Sequence, residues 1–215
     1  MKYFKYPRTY HFPDSPGLQN DDRIHEDPSF FEGKQVVATI KMDGENTSIY
    51  SDGHSHARSM DSVTHPSREW IRQLAGKISY QLPEGWRLCG ENLYAKHSIY
   101  YTHITSYFYM FSIYDAANIS LSWEDVVTWA GMLNLNMVPT FYKGVYDREK
   151  IHSAYEDWVS KSKDEVEGYV VRIQEKFPCE STSRALIKYV RAKHVQTDKN
   201  WMYQEIVPNK IIKIT

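Results

Sequence analysis

The sequence has only two cysteines among its 215 residues, Cys89 and Cys179. They are 90 positions apart, and neither has a second ligand at the spacing typical of a zinc site. A disulfide framework and a cysteine-ligated metal centre are therefore excluded. We interpret both residues as reduced thiols of a cytosolic protein.

The sequence also lacks an excess of one charge and a long apolar run. Lys and Arg total 26 against 27 for Asp and Glu, so a nucleic-acid partner would be held by a local patch. No apolar run approaches the roughly 18 residues of a membrane span, and the N-terminus has no signal-peptide core. We therefore expect a cytoplasmic protein with no membrane partner. One basic patch is visible, formed by Arg184, Lys188, Arg191, Lys193, Lys199, Lys210 and Lys213.

The composition is that of a folded chain, with 41% hydrophobic residues and 17 tyrosines. The length predicts a single domain over residues 1–215. Residues 1–34 contain four prolines without periodicity, and we interpret them as an irregular lead-in with no assigned function. Residues 192–215 form a basic and aromatic extension. Its composition suits contact with nucleic acid and equally suits a packed C-terminal segment.

The most informative stretch is the hexapeptide 41–46, KMDGEN. The β-branched run 36–40 before it predicts a buried strand, residues 47–50 predict a second, and Gly44 predicts the turn of a hairpin between them. Lys41 then lies at the end of the first strand. A lysine there suits covalent catalysis, although nearby carboxylates raise its pKa and a nucleophile needs help from burial, another cation or a metal. The alternative is an exposed hairpin tip.

The rest of the chain predicts short strands and three helices in irregular order. Further strands are expected at 56–59, near 87–91, and at 107–114, 168–173 and 185–191. A helix opening at Pro66 would bury Trp70, Leu74 and Ile78. Ser122 and Asp147 are expected N-caps of two more, which would bury Val126, Val127, Ala130 and Leu133, and Ile151, Tyr155 and Trp158. Because strands and helices do not alternate regularly, we expect an α+β fold of antiparallel sheets flanked by helices.

Polar residues end several of these strands, namely Lys41 with Asp43, Arg58, Glu91, Glu167 and Lys188. A nucleophile, cations for phosphoryl oxygens and carboxylates for a divalent metal are the parts that activate a triphosphate. Phe111 is a candidate surface for stacking a base. Taken singly, each glutamate also fits a solvated strand end, Phe111 a core position and Lys188 the surface.

Six segments, in order, resemble the motifs of the ATP-dependent RNA ligases of the T4 RNA ligase 2 type, within the covalent nucleotidyltransferase superfamily. The hexapeptide resembles Lys-x-Asp/His-Gly-x-Asn, residues 57–59 the arginine motif, and residues 90–94 the Gly-Glu motif. Residues 108–113 resemble Phe-Tyr-x-Phe-Asp-Ile, residues 167–172 resemble Glu-Gly-Tyr-Val-x-Lys, and residues 187–189 the closing lysine motif. The resemblance covers residues 35–195 and implies the nucleotidyltransferase (ATP-grasp-like) fold.

The resemblance implies a role for each residue, with ATP and Mg²⁺ or Mn²⁺ as cofactors. Lys41 would form a covalent lysyl-AMP, and Lys188 would contact the α-phosphate. Glu167 would hold the metal, and Phe111 would stack on adenine. Arg58 and Asn46 would contact sugar and phosphate, Glu91 the ribose side, and Asp43 belongs to the nucleotide site as part of the hexapeptide. The adenylate would pass to an RNA 5′-phosphate, and a 3′-hydroxyl, in a nicked duplex for example, would displace AMP.

The chain departs from the family pattern at three places. Ser112 replaces the usual aspartate, and Arg172 replaces a lysine, which keeps charge but not geometry. The closing motif lacks its second cation at the usual position. Either Arg191 serves as this cation from a shifted position, or the second cation is missing. Departure of pyrophosphate is the step this affects.

Two further groups of residues contain histidine. His65, Ser67 and Arg68 precede a helix and form a candidate anion site. His54 and His56 are expected on one face of a strand, at the surface or the rim of the nucleotide site, because they lack zinc-like partners.

Three functions remain open. The first is an ATP-dependent RNA ligase in RNA repair or sealing. The second is a DNA ligase or a GTP-dependent capping-type enzyme, against which we count the absence of a C-terminal oligonucleotide-binding (OB) domain. The third is a nucleotide- or RNA-binding protein of the same fold that does not ligate. A bare core would still react with ATP, and a protein partner is a candidate source of the missing clamp.

Overall fold

The hexapeptide 41–46 connects two β-sheets in the computed structural model, which describes residues 1–60, 65–192 and 205–212. The described strands are β1 Tyr10–His11, β2 Gln35–Lys41, β3 Glu45–Tyr50, β4 Ser55–Ala57, β5 Arg87–Asn92, β6 Phe108–Tyr114, β7 Ile119–Ser120, β8 Asn136–Met137, β9 Thr140–Val145, β10 Gly168–Ile173, β11 Phe177–Pro178 and β12 Leu186–Val190. The described α-helices are α1 Glu69–Ile78, α2 Trp123–Met132, α3 Arg148–Lys161 and α4 Thr182–Ala185, with 3₁₀ turns at Pro28–Phe31, Pro66–Arg68, Ser79–Gln81 and Cys179–Ser181.

The first sheet has the strand order β1-β12-β10-β2-β9, and the second has the order β11-β7-β6-β5-β3-β4, with β8 alongside β6. All pairings are antiparallel except β1 with β12 and β6 with β8. One large cluster of buried apolar side chains extends through both sheets and α1–α3. The predicted α+β fold of antiparallel sheets is confirmed.

The hairpin predicted around Gly44 is wrong, because β2 and β3 belong to different sheets. β2 pairs with β9 and β10, whereas β3 pairs with β4 and β5. Gly44 is needed for close approach: a Cβ there would lie 2.5 Å from the carbonyl oxygen of Asn92. The hexapeptide is therefore a crossover between sheets, and it places Lys41 where the two sheets meet.

Both predicted helix caps are confirmed. The Ser122 hydroxyl accepts a hydrogen bond from the Asp125 amide at 3.2 Å, and the Asp147 carboxylate accepts one from the Lys150 amide at 3.1 Å. These side chains satisfy amide groups that have no partner inside the helix, which explains why α2 and α3 begin there.

Three predicted helix faces need correction, and in α3 Trp158 lies half-buried beside the buried Ile151 and Tyr155. The buried stripe of α1 is Ile71, Ala75 and Ile78, and Trp70 and Leu74 lie half-buried beside it. In α2, Val127 is 47% exposed. The spacing of apolar residues gives the period of a buried stripe, but it does not decide which of two neighbouring apolar residues faces the core. β4 is likewise shorter than expected and ends before Arg58.

The lead-in 1–34 is anchored to the sheets. β1 lies parallel to the end of β12, with Tyr10 opposite Ile187. Tyr6 is buried in a small cluster with Tyr114 and the two cysteines, which are both buried and free.

The C-terminal extension is described only at residues 205–212. There the Asn209 side chain accepts a hydrogen bond from the Tyr101 amide at 2.8 Å and donates one to the Leu93 carbonyl at 2.8 Å, which packs this part against the loop between β5 and β6. Lys193, Lys199 and Lys213 of the predicted basic patch lie outside the described residues, as does the aromatic stretch 193–201. No helix among the described residues is long and apolar enough to cross a membrane.

Candidate active site

A cavity of about 710 Å³ opens at the crossover between the sheets. Its walls come from both sheets and from the lead-in. Six of the predicted site residues line it, namely Lys41, Asn46, Arg58, Glu91, Phe111 and Lys188. Asp43 and Glu167 are not among the described residues that line the cavity. Both lie close to Lys41, which does line it, and their charges act on its amine.

Lys41 and Glu167 are brought together by strand register. Gly168, the first residue of β10, lies opposite Lys41, the last residue of β2. Glu167 directly precedes Gly168, and its Oε2 accepts a hydrogen bond from the Lys41 ammonium at 2.5 Å. The Lys41 side chain remains 26% exposed, against 7% for Glu167, so the amine faces the cavity and the carboxylate lies behind it.

The charge of Lys41 is stabilised by its surroundings. Burial lowers the pKa of Lys41, but the carboxylates of Glu167, Glu91 and Asp43 together more than offset this, so that the pKa is raised overall. The ammonium form therefore prevails without a ligand, and an attacking amine requires the carboxylates to be drawn off or neutralised.

Glu91 lies in β5 opposite Asn46, and its carboxyl accepts a hydrogen bond from the Gly44 amide at 3.2 Å. Burial raises the pKa of Glu91 to about 8; the carboxylates of Glu167 and Asp43 add to this, and Lys41 opposes it. Near neutral pH, Glu91 is thus a hydrogen-bond donor as well as an acceptor, which suits contact with a sugar hydroxyl.

Asp43 supports a loop. Its carboxylate accepts a hydrogen bond from the Ile99 amide at 2.6 Å, and its own amide donates to the Tyr101 hydroxyl at 2.8 Å. Both partners belong to the segment between β5 and β6. Asp43 therefore fixes that segment against the crossover and adds negative charge near Lys41.

Asn46 presents an unused hydrogen-bonding atom. Its Oδ1 is buried and has no hydrogen-bond partner among the described residues. A buried polar atom without a partner costs free energy. Because Asn46 also lines the cavity, the arrangement fits a polar ligand such as a sugar or phosphate group.

The anion site expected at His65, Ser67 and Arg68 is not assembled. Arg68 is buried and makes a two-pronged ion pair with Glu45, including a bond from Nε at 2.8 Å. The Ser67 amide and hydroxyl both contact the His65 ring nitrogen Nδ1. The groups that would bind an anion are engaged with each other, and Glu45 faces Arg68.

Phe111 forms part of the wall that was expected to hold a base. It lies half-buried in β6, and the buried ring of Tyr6 packs edge-on against it, with centroids 5.4 Å apart. Tyr6 belongs to the lead-in, so that residues 1–34 help to fix the orientation of the ring proposed for stacking.

The two departures Ser112 and Arg172 both line this cavity. The Ser112 hydroxyl is hydrogen-bonded to Ser120 at 3.1 Å, and the Arg172 guanidinium donates to the carbonyls of Leu121 at 2.8 Å and Ile173 at 3.1 Å. Burial lowers the pKa of Arg172 to about 10. Backbone carbonyls thus bind the Arg172 guanidinium. Ser112, which stands where the family pattern has an aspartate, is hydrogen-bonded to Ser120.

Lys188 is paired with the lead-in. Its ammonium lies 3.5 Å from the Asp22 carboxylate, and the same oxygen lies 3.1 Å from His11 Nε2. Burial and the nearby Lys41 lower the pKa of Lys188, whereas Asp22 and Glu167 oppose that shift. Two cations, Lys41 and Lys188, therefore line the same cavity, an arrangement that suits negatively charged groups.

Arg191 does not take the place of a second cation in the cavity. Its guanidinium forms an ion pair with Glu165, and its Nε donates to the Val166 carbonyl at 2.8 Å. Arg191 is not among the described residues that line the cavity. The geometry therefore does not support the prediction that Arg191 serves as the second cation from a shifted position.

Several lining residues were not predicted from the sequence. His97 faces the cavity, and burial lowers its pKa. Arg8, Asp21, Asp22 and Arg23 of the lead-in also line it. His97 follows the Gly-Glu motif by six positions, which is a usable signal, but the lead-in offers no periodicity from which these contacts could be predicted.

Comparisons with known proteins agree with the motifs. A family model described as RNA ligase matches residues 34–190. No curated protein sequence matches the chain.

Solved structures of similar fold include a lysine-to-alanine mutant of Naegleria gruberi RNA ligase with ATP and Mn, at 16% identity and a TM-score of 0.53, covering 86% of this chain and 57% of that one. Another lysine-to-alanine mutant with ATP and Mn gives 15% identity, a TM-score of 0.52 and coverages of 88% and 60%. The same ligase with PPi gives 16% identity, a TM-score of 0.52 and coverages of 88% and 57%. This chain therefore spans less than two-thirds of the length of those structures.

Proposed function

The chain belongs to the RNA ligase family, and on that basis we propose that it is an ATP-dependent RNA ligase that works through a covalent lysyl-AMP on Lys41. The single observation that carries the proposal is the position of the Lys41 amine. It faces the cavity at the crossover of the two sheets, with Glu167 behind it at 2.5 Å and Lys188 on the same cavity.

The residues fit a divalent metal that is shared with substrate oxygens. No group of three His, Cys, Asp or Glu side chains in the described ranges is arranged to hold an ion by itself. Mg²⁺ and Mn²⁺ are often bound by one or two carboxylates together with phosphate oxygens and water. Glu167 is the proposed carboxylate. Glu167 would hold the metal in place of its hydrogen bond to Lys41, and a bound metal would supply positive charge at the phosphates.

In the first reaction, the neutral Lys41 amine attacks the α-phosphorus of ATP, a P–N bond forms and pyrophosphate leaves. Lys188 stabilises the charge on the α-phosphate oxygens, and its positive charge also disfavours the ammonium form of Lys41. Asn46 and Glu91 hold the sugar, and Phe111 stacks on the base. Arg58 binds phosphate.

In the following reactions, the adenylate passes to an RNA 5′-phosphate, and a 3′-hydroxyl displaces AMP to seal the strand. A nicked duplex is a candidate substrate, and a protein partner is a candidate clamp. Repair or sealing of broken RNA in the cytoplasm is the proposed role.

The test uses pure protein from which copurified AMP has been removed, incubated with magnesium and α-labelled ATP or GTP. Wild type is compared with Lys41→Ala and with Lys34→Ala, which changes a half-buried lysine outside the cavity. Label from ATP on wild type and Lys34→Ala, and none on Lys41→Ala, supports the proposal. Label from GTP alone would indicate a capping-type enzyme. If neither nucleotide labels the protein, the result would indicate a nucleotide- or RNA-binding protein that does not ligate.

The acceptor is tested separately. The labelled protein is given RNA or DNA ends that carry 5′-phosphate and 3′-hydroxyl groups, nicked or single-stranded. Transfer of label to RNA followed by sealing supports an RNA ligase, whereas transfer to DNA alone contradicts it.

A further inference from the structure

Two arginines from distant parts of the chain face the same cavity. Arg8 belongs to the lead-in, and Arg58 follows β4. Among residues 1–60, 65–192 and 205–212, no carboxylate lies within ion-pair distance of Arg58. Burial lowers the pKa of the half-buried Arg58 and the nearby Arg8 lowers it further, whereas the exposed Asp21 carboxylate opposes both effects. Like charges placed together on one wall repel each other unless an anion lies between them.

Arg8 has only a weak internal partner in this part of the chain. Its guanidinium lies 3.7 Å from the Asp21 carboxylate, a side chain that is 79% exposed, and it donates to the Asp21 carbonyl at 3.0 Å. Exposed ion pairs of this kind contribute little to stability. A more highly charged anion in the cavity therefore competes readily for Arg8.

The backbone around Arg8 is fixed on both sides. Tyr6 is 6% exposed and packs against Phe111, and Tyr10 pairs with Ile187 of β12. Pro7 restricts the chain between them. Only three residues separate the anchored positions, so the backbone at Arg8 loses little conformational entropy when the side chain binds a ligand.

The closing motif at residues 187–189 lacks a second cation, and Arg8 and Arg58 offer positive charge in its place. Lys188 reaches the cavity, but Arg191 is held by Glu165 and the Val166 carbonyl. We propose that Arg8 and Arg58 together bind a terminal phosphate group, and that Arg8 supplies the positive charge which Arg191 does not. The outer phosphates of the triphosphate and the 5′-phosphate of RNA are the two sources of this chemistry. The inference rests on the proposed function.

The experiment compares wild type, Arg8→Gln, Arg8→Lys and Lys5→Gln. Lys5 is an exposed cation of the same lead-in that does not line the cavity, so its variant is the matched control. Because the Arg8 side chain is 46% exposed, the variants are expected to fold, and equal thermal unfolding midpoints check this. Binding of inorganic pyrophosphate and of AMP, each with magnesium, is measured by calorimetry on nucleotide-free protein.

We expect Arg8→Gln to weaken pyrophosphate binding about tenfold, because a charge-assisted hydrogen bond is lost, and to leave AMP binding unchanged. Arg8→Lys restores part of the loss, since it keeps the charge but not the planar fork. Lys5→Gln matches wild type.

Kinetics identify the source of the phosphate. If the outer phosphates bind there, Arg8→Gln raises the KM for ATP in adduct formation and leaves sealing of pre-adenylated RNA unchanged. If the RNA 5′-phosphate binds there, adduct formation is unchanged and transfer to the 5′-phosphate slows. Equal pyrophosphate binding, adduct formation and transfer in Arg8→Gln and Lys5→Gln would overturn the proposal. Wild-type protein that forms no adduct but binds pyrophosphate through Arg8 would contradict the proposed function alone.

Discussion

The Lys41 ammonium donates a 2.5 Å hydrogen bond to Glu167, a residue 126 positions later in the chain. The contact follows from the register of β2 and β10, which places Gly168 opposite Lys41. It keeps the amine charged while the cavity holds no ligand. If Lys41 is the nucleophile as we propose, its amine becomes reactive only when phosphate and metal change the charge around it.

The register depends on a glycine. A Cβ on Gly168 would lie 2.0 Å from the Tyr189 carbonyl oxygen, so we expect Gly168→Ala to push β10 from β12 and to destabilise the protein by more than about 2 kcal/mol. Gly76→Ala is the control, because a Cβ there meets nothing within 4 Å and an alanine stabilises a helix by up to about 1 kcal/mol. Urea denaturation checks both. Equal stability of Gly168→Ala and wild type would contradict the assigned register.

The buried Glu91 makes stability depend on pH. Its pKa is about 8 in the folded protein against an ordinary 4.5, so between these values the folded state keeps a proton that the unfolded state has lost. The free energy of unfolding should therefore fall by about 1 kcal/mol per pH unit across that window. Glu91→Gln should remove this contribution, and the exposed Glu84→Gln should not. Denaturation midpoints between the two pH values measure it; parallel curves for wild type and Glu91→Gln would contradict the burial.

Asn46 should matter for activity and not for stability. Its Oδ1 has no partner in the described part of the chain, so Asn46→Ala is expected to change the free energy of unfolding by less than about 1 kcal/mol. The same variant should slow adduct formation about tenfold through a lost ligand contact. Unfolding curves and labelling kinetics on one preparation provide the comparison. A large loss of stability with normal labelling would show that the amide serves the fold.

Asp22 should set the alkaline limit of the reaction. Its carboxylate opposes the lowering of the Lys188 pKa by burial and by Lys41, so Asp22→Asn lowers that pKa further. Lys188 then loses its charge at a lower pH, and the fall in labelling rate at high pH should begin earlier. Asp27→Asn, in the same lead-in but outside the cavity, is the control. The rate is measured against pH for all three proteins, and coincident alkaline limbs would show that Lys188 is independent of the lead-in.

Several motif residues could be predicted because a charged side chain stands where the strand pattern calls for a core residue. Lys41 ends β2, Glu91 is the last residue but one of β5, and Lys188 lies in the middle of β12. Lys41, Glu91 and Lys188 line the cavity, and Glu167 reaches it through its hydrogen bond with Lys41. The prediction of a hairpin at Gly44 was wrong because a glycine is equally typical of a tight turn and of a close crossover between two sheets. Only the pairing partners of the flanking strands distinguish the two, and pairing is set by long-range packing.

The lead-in could not be assigned from sequence for a related reason. Its contacts with the site join residues far apart, such as Asp22 with Lys188 and Tyr6 with Phe111, and they leave no periodic pattern. The partner of Glu45 was missed in the same way. Glu45 lies four positions after Lys41 in the hexapeptide, but its carboxylate pairs with Arg68, a residue 23 positions later in the chain.

The most direct test of the central claim is to locate the adduct in the protein. AMP-free wild type and Lys41→Ala are incubated with ATP and magnesium, digested under conditions that preserve phosphoramide bonds, and analysed by mass spectrometry. The account predicts that one peptide gains the mass of an AMP residue, that the modified side chain is Lys41, and that the variant gains none. An AMP group on another lysine, or an equal yield of adduct from Lys41→Ala, would contradict it.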